Sequence, residues 1–174
     1  MNKLYLSFIL LLTCASLQAQ DTTNTPVLNK SNRIILHFTD TVGKFSQLAR
    51  ILVDRGHDID MKDRELGILR TKPSPLRGGH SFNDQVEIKT IFRDSTITFS
   101  GVTYELSYAH DLSSNEIKSE AIYSSKKVHR NNMLSWEEME KIAELLKPAS
   151  ITYSTAVVSE KPQPIAGWQY KRSN

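Results

Sequence analysis

The sequence predicts an α+β fold, one mainly antiparallel sheet whose single apolar face is covered by two amphipathic helices. Two kinds of periodicity and the order of the segments predict it. Apolar and polar residues alternate over 33–38 and 85–92, the period of a half-buried strand. Over 42–52 and 136–146 apolar residues recur at three- and four-residue spacing, as they do along one face of a helix. Tight turns join the strands between the two helices. One sheet with both helices on its apolar face satisfies both sets of stripes.

Residues 20–32 are polar, with Thr, Asn and one Pro, and are read as a disordered leader. In the first strand Ile34, Leu36 and Phe38 share one face, while Arg33 and His37 share the other. A helix follows, with Asp40 or Thr41 as N-cap and Val42, Phe45, Leu48, Ala49 and Leu52 as its buried stripe. Gly56 ends it, since glycine takes the left-handed conformation beyond a helix end. Residues 59–62 and 68–72 read as strands joined by the turn Asp63-Arg64-Glu65-Leu66-Gly67. Pro73 to Asn83 is a loop. Val86, Ile88, Thr90 and Phe92 alternate in a strand that Asp94-Ser95 turns into Thr96 to Phe99. Ser100-Gly101 is read as a bulge before Val102 to Leu106.

Residues 110–132 form an excursion with a short strand or helix around Ile117 to Tyr123. The second helix is marked by a capping box, Ser135 with Glu138, and by a Leu134–Met139 staple. Trp136, Met139, Ala143 and Leu146 make its stripe, and Lys147-Pro148 ends it. Residues 151–158 have β character. One domain is therefore expected over 33–158, with a loosely held tail over 159–174.

The N-terminus carries its own signal. Met1-Asn2-Lys3 is positive, Leu4 to Leu12 is apolar apart from Tyr5 and Ser7, and Thr13 to Gln20 is small and polar with Ala15 and Ala19. That order predicts a secretory signal peptide, residues 1–19, cleaved after Ala19. The protein is then exported, periplasmic or secreted. The alternative uses Cys14, because Leu11-Leu12-Thr13-Cys14 resembles a lipoprotein signal whose cysteine is acylated to anchor the chain in the envelope. Thr13 fits that pattern poorly, since Gly, Ala or Ser is usual there.

Cleavage after Ala19 removes the single cysteine and with it disulfides, thiol nucleophiles and thiolate ligands. The core alone must then hold the fold, and roughly 155 residues suffice for that. No later segment approaches the roughly 20 apolar residues of a membrane helix, so no transmembrane segment is expected in the mature chain. A formal charge of +3, part of it leaving with Lys3, gives no case for a nucleic-acid partner.

The stretch from Arg33 to Glu105 resembles a small secreted bacterial domain of unknown function with a TBP-like β-α-β-β-β arrangement. The resemblance rests on the helix ending at Gly56, on Asp63-Arg64-Glu65-Leu66-Gly67-Ile68 and on the hairpin at Asp94-Ser95. More loosely, the chain is similar to the helix-grip domains of an outer-membrane assembly lipoprotein. The likeness covers under half of the chain, implies the fold and transfers no catalytic residue.

Four groups of residues are candidates for chemistry. His57, Asp58, Asp60 and Asp63 have the donor types of a zinc, manganese or calcium site. On a strand, however, Asp58, Asp60 and Lys62 share the solvated face while Ile59 and Met61 turn to the core. An EF-hand loop would also need an oxygen ligand at 62 and glycine at 63. No metal or other cofactor is expected. His110-Asp111 with Ser107 or Ser113 has the types of a base and nucleophile, but adjacent strand residues point to opposite faces and no G-x-S-x-G is present. Arg77-Gly78-Gly79-His80 would offer backbone N–H groups to an anion, yet it lacks the spacing and lysine of a phosphate loop. Lys126-Lys127-Val128-His129-Arg130 is a short basic run suited to a solvated turn or to lipid headgroups and anionic glycans.

Among the aromatics, Trp136 is expected to pack on the sheet. Trp168 and Tyr170 in the tail are the candidate contacts to a ligand or partner, with an arm folded over the sheet as the competing role. These observations lead to a non-enzymatic exported module that binds an envelope protein or an apolar ligand between helix and sheet. The alternative is an extracytoplasmic metal-dependent or His/Asp hydrolase, which requires at least three of the His57–Asp63 or His110-Asp111 side chains to converge.

Overall fold

A hairpin of a nine-residue strand, Gln85–Arg93, and a thirteen-residue strand, Thr96–Tyr108, builds the spine of the molecule. In the longer strand the apolar positions change face at Ser100-Gly101. The structure, a computed structural model, describes residues 22–76, 84–108, 115–125 and 130–156. In chain order its elements are β1 (Thr22–Thr23), β2 (Arg33–His37), α1 (Lys44–Asp54), β3 (Ile59–Asp63), β4 (Ile68–Thr71) and β5 (Ser74–Pro75). There follow β6 (Gln85–Arg93), β7 (Thr96–Tyr108), β8 (Asn115–Ala121), α2 (Arg130–Leu145) and β9 (Ser150–Ser154). The strands form one sheet in the order β1-β9-β2-β7-β6-β4-β3, with β5 added to β6 and β8 to β7. Every pairing is antiparallel.

This architecture corrects the α+β expectation. Among the described residues nine strands and two helices make a mainly-β fold, in which the sheet extends well beyond the helices. The reason lies in β7. No bulge interrupts it at Ser100-Gly101, and the register with β6 continues through Lys89↔Ser100 and Ile88↔Gly101. One long strand can therefore take two neighbours on the same edge, β2 along Thr96–Phe99 and β8 along Val102–Tyr108. Four further strands come from segments read as leader, loop, excursion or loose β character. Thr22–Thr23, within the segment read as a disordered leader, pairs with β9, and Ser74–Pro75 pairs with β6.

The core lies between the helices and the face carrying Ile34 and Leu36 of β2, Ile88 of β6, and Ile97 and Phe99 of β7. Leu48 and Leu52 of α1 meet it, with Met139, Ile142 and Ala143 of α2. The opposite face carries cross-strand polar pairs beside Ile35, Ile68, Ile91 and Val102. His37 Nε2 lies 2.8 Å from Thr152 Oγ1, and Tyr104 donates its hydroxyl to Glu87 Oε2 at 2.9 Å. Burial and the Glu87 carboxylate raise the Tyr104 phenol well above its ordinary value.

Both helices start elsewhere than their expected caps. α1 begins at Lys44 after Gly43, which has a φ of 76° and makes no side-chain cap. Asp40 instead accepts the N–H of Val42, leaving Val42 85% exposed and outside the stripe it was assigned to. α2 starts at Arg130, so Ser135 and Glu138 fall inside the helix and form no capping box. Asn132 ties that first turn down, accepting the Tyr123 N–H at 2.6 Å and donating to Ala121 O at 3.2 Å. No helix among the described residues is long and apolar enough to cross a membrane.

Trp136 packs beside Tyr153 of β9 with ring centroids 6.0 Å apart. The half-buried Glu140 carboxyl receives hydrogen bonds from both rings. Burial raises it, those hydrogen bonds oppose the rise, and Glu144 and Glu137 add to it. Tyr153 is pushed up to about 12, chiefly by burial and then by Glu140. The folded chain thus holds the Glu140 proton more tightly than the unfolded chain, and ionisation at neutral pH costs stability. Glu140→Gln keeps an acceptor for both rings and removes the charge. It is expected to raise Tm at pH 7 by about 2 °C, checked by thermal denaturation.

Candidate functional site

The end of α1 begins the site. Gly56, at a φ of 89°, turns the chain out of the helix while the His57 N–H still bonds to Leu52 O at 2.9 Å. That turn sends the His57 imidazole inward, where the residue is only 4% exposed. Its Nδ1 lies 2.6 Å from Ser74 Oγ on β5, and its Nε2 lies 3.2 Å from Glu138 Oε1 on α2. Arg55, two residues before His57, completes the chain. Its Nε donates to Glu138 Oε1 and its Nη2 to Oε2, both at 2.6 Å.

Four side chains from three elements are thereby tied together: Ser74, His57, Glu138 and Arg55. Burial alone would raise the Glu138 carboxyl, but the hydrogen bonds from His57 and Arg55, with their charge, outweigh it and hold it at about 2. The Arg55 guanidinium is raised in turn, chiefly by its hydrogen bond to Glu138 against the cost of burial. A bidentate pair of this kind fixes geometry as well as charge. The Ser74 hydroxyl beside His57 Nδ1 donates to Val86 O at 3.3 Å.

Beside this chain opens a cleft of about 140 Å³. Leu76, Val86 and Leu134 give it apolar walls, and Arg55, Lys141, His57 and Glu138 give it polar ones. Ser74 is not part of its lining.

The order Ser74–His57–Glu138 superficially matches a nucleophile, a base and an orienting carboxylate. Its chemistry differs. Ser74 is 5% exposed and sits within a strand pair, so no substrate carbonyl reaches its oxygen in this structure. Both Glu138 oxygens are occupied by Arg55. The arrangement orients and braces the Glu138 carboxylate.

The four candidate metal ligands diverge. His57 turns into the core, Asp58 is exposed, and Asp60 accepts from Arg70 Nε at 3.0 Å. Asp63 accepts the Leu66 N–H at 2.9 Å and so shapes the β3–β4 turn. Among the described residues no three His, Cys, Asp or Glu side chains are placed to hold a metal ion. Met61, expected to face the core, is 41% exposed. The register slips between Ile59 and Met61, and that bulge breaks the alternation on which the expectation rested.

Cys14, Arg77 to His80, His110, Asp111, Ser113, Lys126 to His129, Trp168 and Tyr170 lie outside the described residues. Ser107 lies in β7. Sequence reading missed Arg55, Ser74 and Glu138. Glu138 did carry a signal, since it stands four residues after Leu134 and four before Ile142, on the flank of the buried stripe.

The chain was compared with family models, with curated proteins and with solved structures, and none of the three comparisons found a match. The site is therefore read from its own geometry.

Proposed function

We propose that this chain is an exported, non-enzymatic module that docks a partner in the cleft between the end of α1, β5 and α2. One observation carries the reading. The Glu138 carboxylate beside the cleft is clamped by Arg55 and braced by His57, while the cleft itself keeps apolar walls. A catalytic site leaves its base or nucleophile facing the space where substrate sits, and a binding site asks only for a shaped, partly apolar recess. The export half of the reading is supported by the charged, apolar and small-residue order of Met1 to Gln20.

The hydrolase alternative is tested at Ser74. Incubation with a fluorophosphonate and intact-mass measurement is expected to give no adduct. An adduct on Ser74 that disappears in His57→Ala would replace docking with serine chemistry. Export is tested by the mass of the protein recovered from the cell envelope or medium, expected to begin at Gln20. A product beginning at an acylated Cys14 would make it a lipid-anchored protein instead.

A further inference from the structure

We propose that the cleft receives a carboxylate on a short aliphatic stem, presented as an acidic side chain of a partner polypeptide. The inference rests on the cleft being the docking site and adds what enters it. Size comes first. At about 140 Å³ the cleft falls well below the roughly 300 Å³ at which pockets for whole small molecules begin, so it holds a group of side-chain dimensions.

Charge selects among side chains. Among the described residues the lining carries two cations, Arg55 and Lys141, and one carboxylate, Glu138. Arg55 and Glu138 neutralise each other in their bidentate pair, so Lys141 carries the excess positive charge. Arg55 spends Nε and Nη2 on that pair, and Nη1 takes no part in it. Lys141 is 58% exposed, and its ion pair with Glu137 is long at 3.9 Å. Such a pair is weak and yields readily to a better-placed carboxylate. An incoming lysine or arginine would meet the like charge of Lys141 and find the Glu138 carboxylate already taken by Arg55. A purely apolar side chain would take water from both cations and return no bond.

The walls complete the match. Leu76, Val86 and Leu134 offer apolar contact for a methylene stem below the charged rim. Glu138 also holds the Arg55 guanidinium in place, so binding a second carboxylate costs little ordering of that side chain.

Selection of a random peptide library on the immobilised full chain tests both levels. Selected peptides are expected to share a Glu or Asp, and changing it to Gln or Asn should weaken binding about tenfold. Lys141→Gln, on the exposed rim where folding is not at stake, should cause a similar loss, and binding should weaken as salt rises. Leu134→Trp, which fills the cleft, should abolish binding, with Lys141→Glu as the control if that variant fails to fold. Peptides that need an open cleft but no acidic residue would overturn the carboxylate and leave docking standing. Peptides indifferent to Leu134→Trp and Lys141→Glu, or no selected peptides, would overturn docking and this inference with it. N-acetylglutamate binding as tightly as the selected peptides would replace the polypeptide by a free acid.

Discussion

Glu138→Ala is expected to lower the stability of the folded chain by about 3 kcal/mol at pH 7, read from chemical denaturation. The loss has two sources. The variant leaves Arg55 and the buried His57 without the acceptor they share, and it removes the joint between α2 and the end of α1. Glu138→Gln keeps an acceptor and loses only the charge, so its loss should be smaller. Acid should reveal the same contribution in the native protein. The Glu138 carboxyl is lowered from 4.5 to about 2, so its stabilisation is complete above pH 4.5 and disappears as pH falls through about 2. That shift corresponds to about 3 kcal/mol. Native and Glu138→Gln stabilities should converge across this window. A difference under about 1 kcal/mol at neutral pH would mean that solvent screens the pair.

Gly101→Ala is expected to destabilise by about 3 kcal/mol, and its sign is as informative as its size. Replacing glycine by alanine in a strand ordinarily stabilises by about 0.5 to 1 kcal/mol, because the unfolded chain loses freedom. At Gly101 a Cβ would stand 2.5 Å from the Glu87 carbonyl oxygen and 2.6 Å from Ile122 Cδ1. The isoleucine tip can rotate away, but the carbonyl belongs to β6 and moves only if the β6–β7 hairpin opens. Ile122 donates its N–H to Gly101 O at 2.9 Å, so the same displacement disturbs the chain leaving β8. Thermal denaturation measures the outcome, and a stabilised variant would refute the unbroken β7 strand.

These two positions show where sequence reading stops. Ile34 and Leu36, or Leu48 and Leu52, repeat with the period of their element, and their burial follows from that spacing alone. Gly101 does not, because a glycine in a strand reads the same whether it marks a bulge or admits a neighbour. The difference lies in Ile122, which the chain brings back 21 residues later. Strands of two residues, Thr22–Thr23 and Ser74–Pro75, are too short to show a period and exist through their partners. The site failed to read for a related reason. His57, Asp58, Asp60 and Asp63 are neighbours in sequence, but His57 turns into the core before β3 begins. Asp58 and Asp60 stay exposed, and Asp63 is tied into the β3–β4 turn. The groups that His57 does meet, Ser74 and Glu138, lie 17 and 81 residues away. Glu138 was read as a cap because Ser135 precedes it at capping distance, and nothing local told that α2 begins five residues earlier.

The central claim is that the Glu138 carboxylate is fully committed to Arg55 and His57, bracing the cleft instead of serving chemistry in it. Carbon-13 NMR of the side-chain carboxyls across an acid titration tests this most directly. In the native chain the Glu138 resonance is expected to titrate at about 2, and in Arg55→Gln to move back toward 4.5. A Glu138 resonance that titrates in the ordinary carboxylate range in the native chain would contradict the account.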